Sequence, residues 1–106
     1  MADDDQSVTV HLVLAGNGFG TDEERQRIYA LEDALTLSID RAAAGTFDGD
    51  GFGEGGADLF AYGPDADSLY AAMEADIRAY GPAAGSSVLL VYGSDADSPD
   101  RTIELP

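Results

Sequence analysis

Between Ser7 and Ala42 the spacing of apolar residues changes from every second position to every third and fourth, and this change constrains the fold more than any other feature of the chain. Ser7 to Leu14 reads SVTVHLVL, rich in β-branched residues. Alternation sends Val8, Val10, Leu12 and Leu14 to one side of a strand and Thr9, His11 and Val13 to the other. Ile28, Leu31, Leu35, Ile39 and Ala42 then line one stripe of a helix running to about Ala44. A strand with one apolar face followed by a helix with one apolar stripe predicts a helix layer packed on a sheet.

Punctuation along the chain divides the rest. Gly16-Asn-Gly-Phe-Gly20 is a glycine-dense turn, and Thr21-Asp-Glu-Glu24 has the form of a capping box that starts the first helix. Gly45 is placed to close that helix. Thr46 to Phe52 predicts a second strand, Gly53 to Gly56 a loop, and Ala57 to Tyr62 a third strand. Pro64 and Asp65-Ala-Asp-Ser68 start a second helix with Leu69, Met73 and Ile77 on one face, ended by Gly81-Pro82. Ser87 to Tyr92 is a fourth, strongly apolar strand. Thr102 to Leu105 is an edge strand or a loose tail.

The order β-α-β-β-α-β predicts an α+β fold of the ferredoxin-like, split βαβ kind. A four-stranded antiparallel sheet in order 4-1-3-2 is expected, strands one and three central and parallel, with both helices on one face and the other face open. With 106 residues the chain is expected to be a single domain, residues 1–6 an acidic lead and 98–106 the edge strand or tail. The run from Phe47 to Tyr70, FDGDGFGEGGADLFAYGPDADSLY, resembles a pattern of small uncharacterised bacterial proteins of this βαββαβ layout. The resemblance implies a fold and carries no activity, so it assigns no site residue.

Two strings recur: Gly16-Asn-Gly-Phe-Gly20 with Gly49-Asp-Gly-Phe-Gly53, and Tyr62-Gly-Pro-Asp-Ala-Asp-Ser68 with Tyr92-Gly-Ser-Asp-Ala-Asp-Ser98. In the expected topology neither pair meets in one pocket.

Composition narrows the function. The chain has 21 acidic residues against five arginines and no lysine, a formal net charge of −16. Phosphate backbones and anionic membranes need clustered cations, so neither is an expected partner. No apolar run approaches the roughly 20 residues of a membrane helix, and Met1 to Ser7 is acidic where a signal peptide is basic, so a soluble cytoplasmic protein is expected. The absence of cysteine removes disulfides and thiolate chemistry. The acidity fits a coding bias or adaptation to salt, a basic protein partner of the kind that acidic immunity proteins neutralise, or divalent cations.

Local chemistry offers few strong motifs. Gly16-x-Gly18-x-x-Thr21 lacks the third glycine of a dinucleotide fingerprint, and Asp22-Glu23-Glu24 already occupies the helix end that a phosphate needs. Asp48, Asp50 and Glu54 stand at the first, third and seventh positions of a calcium loop with Gly53 at the sixth. Phe52 and Leu59 take the fifth and twelfth, where oxygen ligands belong, so calcium is a weak alternative and no metal or cofactor is expected. The Asp65/Asp67 and Asp95/Asp97 pairs read as caps and turn formers.

His11 is the single histidine. If Leu59 and Ala61 face the helices, Asp58, Phe60 and Tyr62 join His11 on the open face, where an Asp58–His11 contact forms and Ser86 or Ser87 approaches from strand four. A hydrolytic triad built this way lacks a nucleophile turn, an oxyanion hole and a pocket, so the residues favour a binding domain over an enzyme. Val13, Phe60, Tyr62, Leu90 and Tyr92 make the open face apolar, and such a face marks an interface. Its expected occupant is a second copy, giving a homodimer, or another protein; Ile103 and Leu105 folding back over it is the alternative. A small-ligand or catalytic site centred on His11 and Asp58 is the rival.

Overall fold

A computed structural model describes residues 6–15, 18, 20–95 and 97–105. The elements in order are β1 (Gln6–Val13), α1 (Asp22–Ala42), β2 (Thr46–Gly53), β3 (Gly56–Gly63), α2 (Ala66–Tyr80), β4 (Ser87–Val91) and β5 (Asp100–Glu104). The class is α+β, with two helices and one five-stranded antiparallel sheet in the order β2-β3-β1-β4-β5. Gly16, Asn17 and Phe19 of the first glycine turn lie outside the described residues.

Two expectations change. The sheet has five strands, because Asp100–Glu104 pairs along β4 and lengthens the order beyond it. Strands β1 and β3 run antiparallel, with Gln6 opposite Gly63 and Val13 opposite Gly56. The crossover through α1 returns β2 parallel to β1, and a hairpin reverses direction, so β3 opposes both.

Capping explains where α1 begins. The Thr21 hydroxyl accepts from the Glu24 amide at 3.1 Å and the Glu24 carboxylate accepts from the Thr21 amide at 2.9 Å. A second Glu24 oxygen accepts from the Ala15 amide at 3.0 Å, which fixes the turn against the helix. These amides, Ala15 foremost, hold the Glu24 carboxyl below its ordinary range. The helix closes at Ala43, whose φ of 51° puts it in the left-handed region, ahead of the predicted Gly45. In α2, Asp65 accepts from the Asp67 amide, and Gly81, φ 74°, ends the helix.

The hairpin loop is shorter than predicted. Only Glu54 and Gly55 connect β2 to β3, and both have positive φ, 54° and 77°, the requirement of a tight type I′ turn. A bulge between Phe47 and Gly49 shifts the register of β2, so that Phe47 and Phe52 both face the helices.

One core lies between sheet and helices. Val8, Val10 and Leu12 of β1, Ala57, Leu59 and Ala61 of β3, and Val88 and Leu90 of β4 pack against Ile28, Leu31, Leu35 and Ile39 of α1 and Leu69, Met73 and Ile77 of α2. Both helices therefore cover the same face, as their stripes require. Between the helices, the Arg27 guanidinium lies 4.4 Å over the Tyr80 ring and the Ser38 hydroxyl donates to Asp76 at 2.6 Å. No helix among the described residues is long and apolar enough to cross a membrane.

Candidate functional site

No helix among the described residues covers the second face of the sheet. Thr9, His11 and Val13 of β1 stand there beside Asp58, Phe60 and Tyr62 of β3, in the pairs Thr9–Phe60 and His11–Asp58. On the other flank of β1, Ser87 lies opposite His11 and Leu89 opposite Thr9. Tyr62, near the end of β3, and Leu89, in the middle of β4, are 39% and 38% exposed. β5 adds Asp100, Thr102 and Glu104, paired with Val91, Leu89 and Ser87. β2 contributes Gly49 and Gly51, opposite Phe60 and Asp58, and the Phe60 ring covers the gap that Gly51 leaves.

Two of the predicted face residues are elsewhere. Leu90 is fully buried beneath the helices, and Leu89 takes its place on the uncovered face. The run SVLLV does not alternate, so only the pairing with β1, Val8 with Leu90 and Thr9 with Leu89, fixes which leucine points which way. Tyr92 packs partly against the core, and its hydroxyl donates to Asp67 at the start of α2 at 2.6 Å. That carboxylate, more than burial, holds the Tyr92 hydroxyl above the ordinary tyrosine range. The carboxyl-terminal segment does not cover the face either. Ile103 pairs with Val88 and packs toward the core, and Leu105 is buried beside Ile77 and Pro82.

His11 and Asp58 come together. Nδ1 of His11 lies 2.7 Å from Oδ1 of Asp58, with the two side chains 48% and 45% exposed. That bond fixes the ring by one nitrogen and leaves Nε2 for something else. The ring leans over β3. A Cβ on Gly56 would stand 2.8 Å from His11 Cε1 and 3.4 Å from Nε2, so the absence of a side chain at Gly56 is what admits the imidazole. Nε2 therefore opens onto a shallow recess of about 460 Å³ bounded by Gly51, Gly53, Glu54 and Gly56, with His11 and Asp58.

Neither serine completes a catalytic row. Ser86 is fully buried, its hydroxyl accepting from the Val13 amide at 3.0 Å. Ser87 is opposite His11 but on the flank away from which the ring leans. The arrangement can hold a hydrogen-bonding or charged group at Nε2 and Asp58. It presents no activated nucleophile among the described residues.

Asp48, Asp50 and Glu54 do not converge. Asp48 sits at the bulge, Asp50 pairs with Leu59 on the helix side, and Glu54 rims the recess at the turn. Asp50 meets Glu32 of α1 instead, an acid pair that the spacing of neither residue announces. No group of three or more His, Cys, Asp or Glu among the described residues is placed to hold a metal ion.

The expected topology brings neither repeated pair into one pocket; the structure joins the members of one pair by a hydrogen bond. Antiparallel β1 puts the ends of β3 and β4 at one rim, where Tyr92 of one Asp-Ala-Asp-Ser string bonds Asp67 of the other. At the opposite rim the hairpin turn reaches the first glycine loop: Leu14 donates to Gly55 at 2.8 Å and Gly55 to Gly18 at 2.9 Å. Both junctions are turn-to-turn and cap contacts, which is structural work for the glycines and aspartates. Comparisons of the chain with models of protein families, with curated proteins and with solved structures returned no match.

Proposed function

We propose that the chain is a binding domain that acts through the uncovered sheet face, the layout expected of a ferredoxin-like sandwich. The observation that carries this reading is the exposure of Tyr62 and Leu89, with Val13 and Phe60, on a face that neither the helices nor the described carboxyl-terminal residues shield. Apolar side chains held in water contribute little to folding, so their retention points to contact with another surface.

A paired substitution tests it. Leu90→Ala is expected to cost about 2–5 kcal/mol by opening a cavity, whereas Leu89→Ala changes stability by about 0.5 kcal/mol or less. Chemical denaturation of both variants reads the difference. Equal losses would make Leu89 a structural residue and remove the reason for a binding face.

The bond between His11 and Asp58, with Nε2 directed into the recess, favours a second reading in which a small ligand is held there or turned over. The imidazole signals report it: addition of a ligand at this site shifts the His11 Nε2 resonance, and His11→Ala abolishes binding with the fold intact. A ligand bound equally by His11→Ala excludes the histidine from any such site.

A further inference from the structure

The uncovered face has a charge pattern of its own. Asp58, Asp100 and Glu104 lie on it with Val13, Phe60, Tyr62 and Leu89, and Glu54 rims its recess. None of the five arginines joins them. Arg25, Arg27 and Arg41 belong to α1 and Arg78 to α2, where Arg27 stacks on Tyr80 and Arg78 bonds Glu74 at 2.8 Å. Arg101 of β5 pairs with Leu90, whose side chain is buried under the helices, so it points to the helix side, near Tyr70 and Tyr92. A general excess of acid does not by itself explain why every arginine is on one side of the sheet. What results is a face whose apolar side chains stand among Thr9 and the bonded His11–Asp58 pair, with carboxylates and no arginine around them.

Such a surface selects its occupant. A second copy packed face to face would bring one set of carboxylates against another and desolvate them, in a chain whose net charge is already −16. A surface with an apolar patch edged by arginine or lysine meets the same carboxylates with pairing in place of repulsion. The recess fits that chemistry: Gly51, Gly53 and Gly56 put no side chain into it, and Glu54 and Asp58, one oxygen of which is bonded to His11, border it with carboxylates for a planar guanidinium. We infer that the partner of this face is a basic protein presenting an apolar patch edged by arginine or lysine, and not a second copy of the chain. The inference rests on the binding-domain reading and adds the class of partner.

The test titrates the isotope-labelled chain with two synthetic peptides of equal length and charge, one alternating arginine with leucine, the other arginine with serine. The arginine–leucine peptide is expected to shift the amide signals of Val13, Phe60, Leu89 and Thr102, to bind about tenfold tighter than the arginine–serine peptide, and to weaken as salt rises. Leu89→Asp adds a negative charge yet is expected to weaken binding about tenfold, because the apolar contact is lost. The double variant Asp100→Asn, Glu104→Gln is expected to weaken it about threefold, both side chains being exposed. Equal binding of the two peptides, strengthened by Leu89→Asp, would mean polyelectrolyte attraction only and would overturn the inference. A dimer seen by light scattering that Leu89→Asp dissolves, with no peptide shifts on this face, would also overturn it while leaving the binding-domain reading standing. Shifts confined to α1 and α2 would remove both.

Discussion

Gly63→Ala is expected to destabilise the protein by about 3 kcal/mol or more, a large share of the roughly 5–15 kcal/mol that holds a domain of this size together. The reason is a crossing of two backbones. A Cβ on Gly63 would stand 2.3 Å from the carbonyl oxygen of Ala44, and one on Gly45 would stand 2.1 Å from the carbonyl oxygen of Tyr62. Neither obstacle is a side chain that can swing away. Relief requires the connection from α1 to β2 to lift off the end of β3, and that connection completes the crossover on which the sheet order depends. Gly45 adds a backbone reason, since its φ of 152° is one that L side chains rarely adopt. At roughly 4–8 °C per kcal/mol, the thermal midpoint of Gly63→Ala should fall by about 12 °C or more. Gly18→Ala is the control, because nothing lies within 4 Å of its added Cβ, and its midpoint should stay near that of the parent chain. A Gly63→Ala midpoint within a degree or two of the parent would show that the two backbones do not cross so closely.

This crossing also marks the limit of what the sequence conveys. The face assignment of β1 follows from Val8, Val10 and Leu12 alternating with Thr9, His11 and Val13, and all three of the first group are fully buried. The start of α1 follows from Thr21 and Glu24, whose reciprocal bonds form as the spacing predicts. Because alternation is a local property, it also puts His11 and Asp58 on one face, while their pairing comes from the antiparallel register of β1 with β3. What fails is anything set by a distant partner. The apolar run of β4 carries no period, so which of Leu89 and Leu90 faces out depends on register with β1. Direction fails as well: the relation of β3 to β1 passes through two connections, and misjudging one of them makes antiparallel strands parallel. In β2 a single extra residue at Asp48 reverses the parity of the rest of the strand, turning Phe52 inward with Phe47 and carrying Asp50 inward too. The meeting of Asp50 with Glu32 is a consequence of that bulge.

From that meeting comes the second large effect, a pH dependence that Glu32→Gln should abolish. Glu32 lies on the side of α1 that faces β2, and while both carboxyls are ionised its buried Oε2 has no hydrogen-bond donor. Burial, then the hydrogen bond and the charge of Asp50, then the charge of Asp33, push its carboxyl up to about 8 from an ordinary value of 4.5. At neutral pH the protonated Glu32 therefore donates to the Asp50 carboxylate across the seam between helix and edge strand. In the unfolded chain that proton is lost near 4.5, so the folded state binds one more proton between the two values. Stability contributed by the protonated pair is complete below pH 4.5, declines as pH rises from there to about 8, and is gone above it. Glutamine supplies an N–H donor that needs no proton. Glu32→Gln should match the parent at pH 4.5, exceed it increasingly above, and melt a few degrees higher at pH 8.5, an effect kept modest by the partial exposure of the seam. Thermal melts at pH 5, 7 and 8.5 separate the cases, with the difference between the two curves as the quantity of interest, since it removes whatever is common to both. Parallel curves would show that the two carboxyls do not share a proton. A difference that grows with pH would tie the same strand to two tasks: Asp50 fastens its inner side to α1, and Gly51, the next residue, borders the recess at His11 on its outer side.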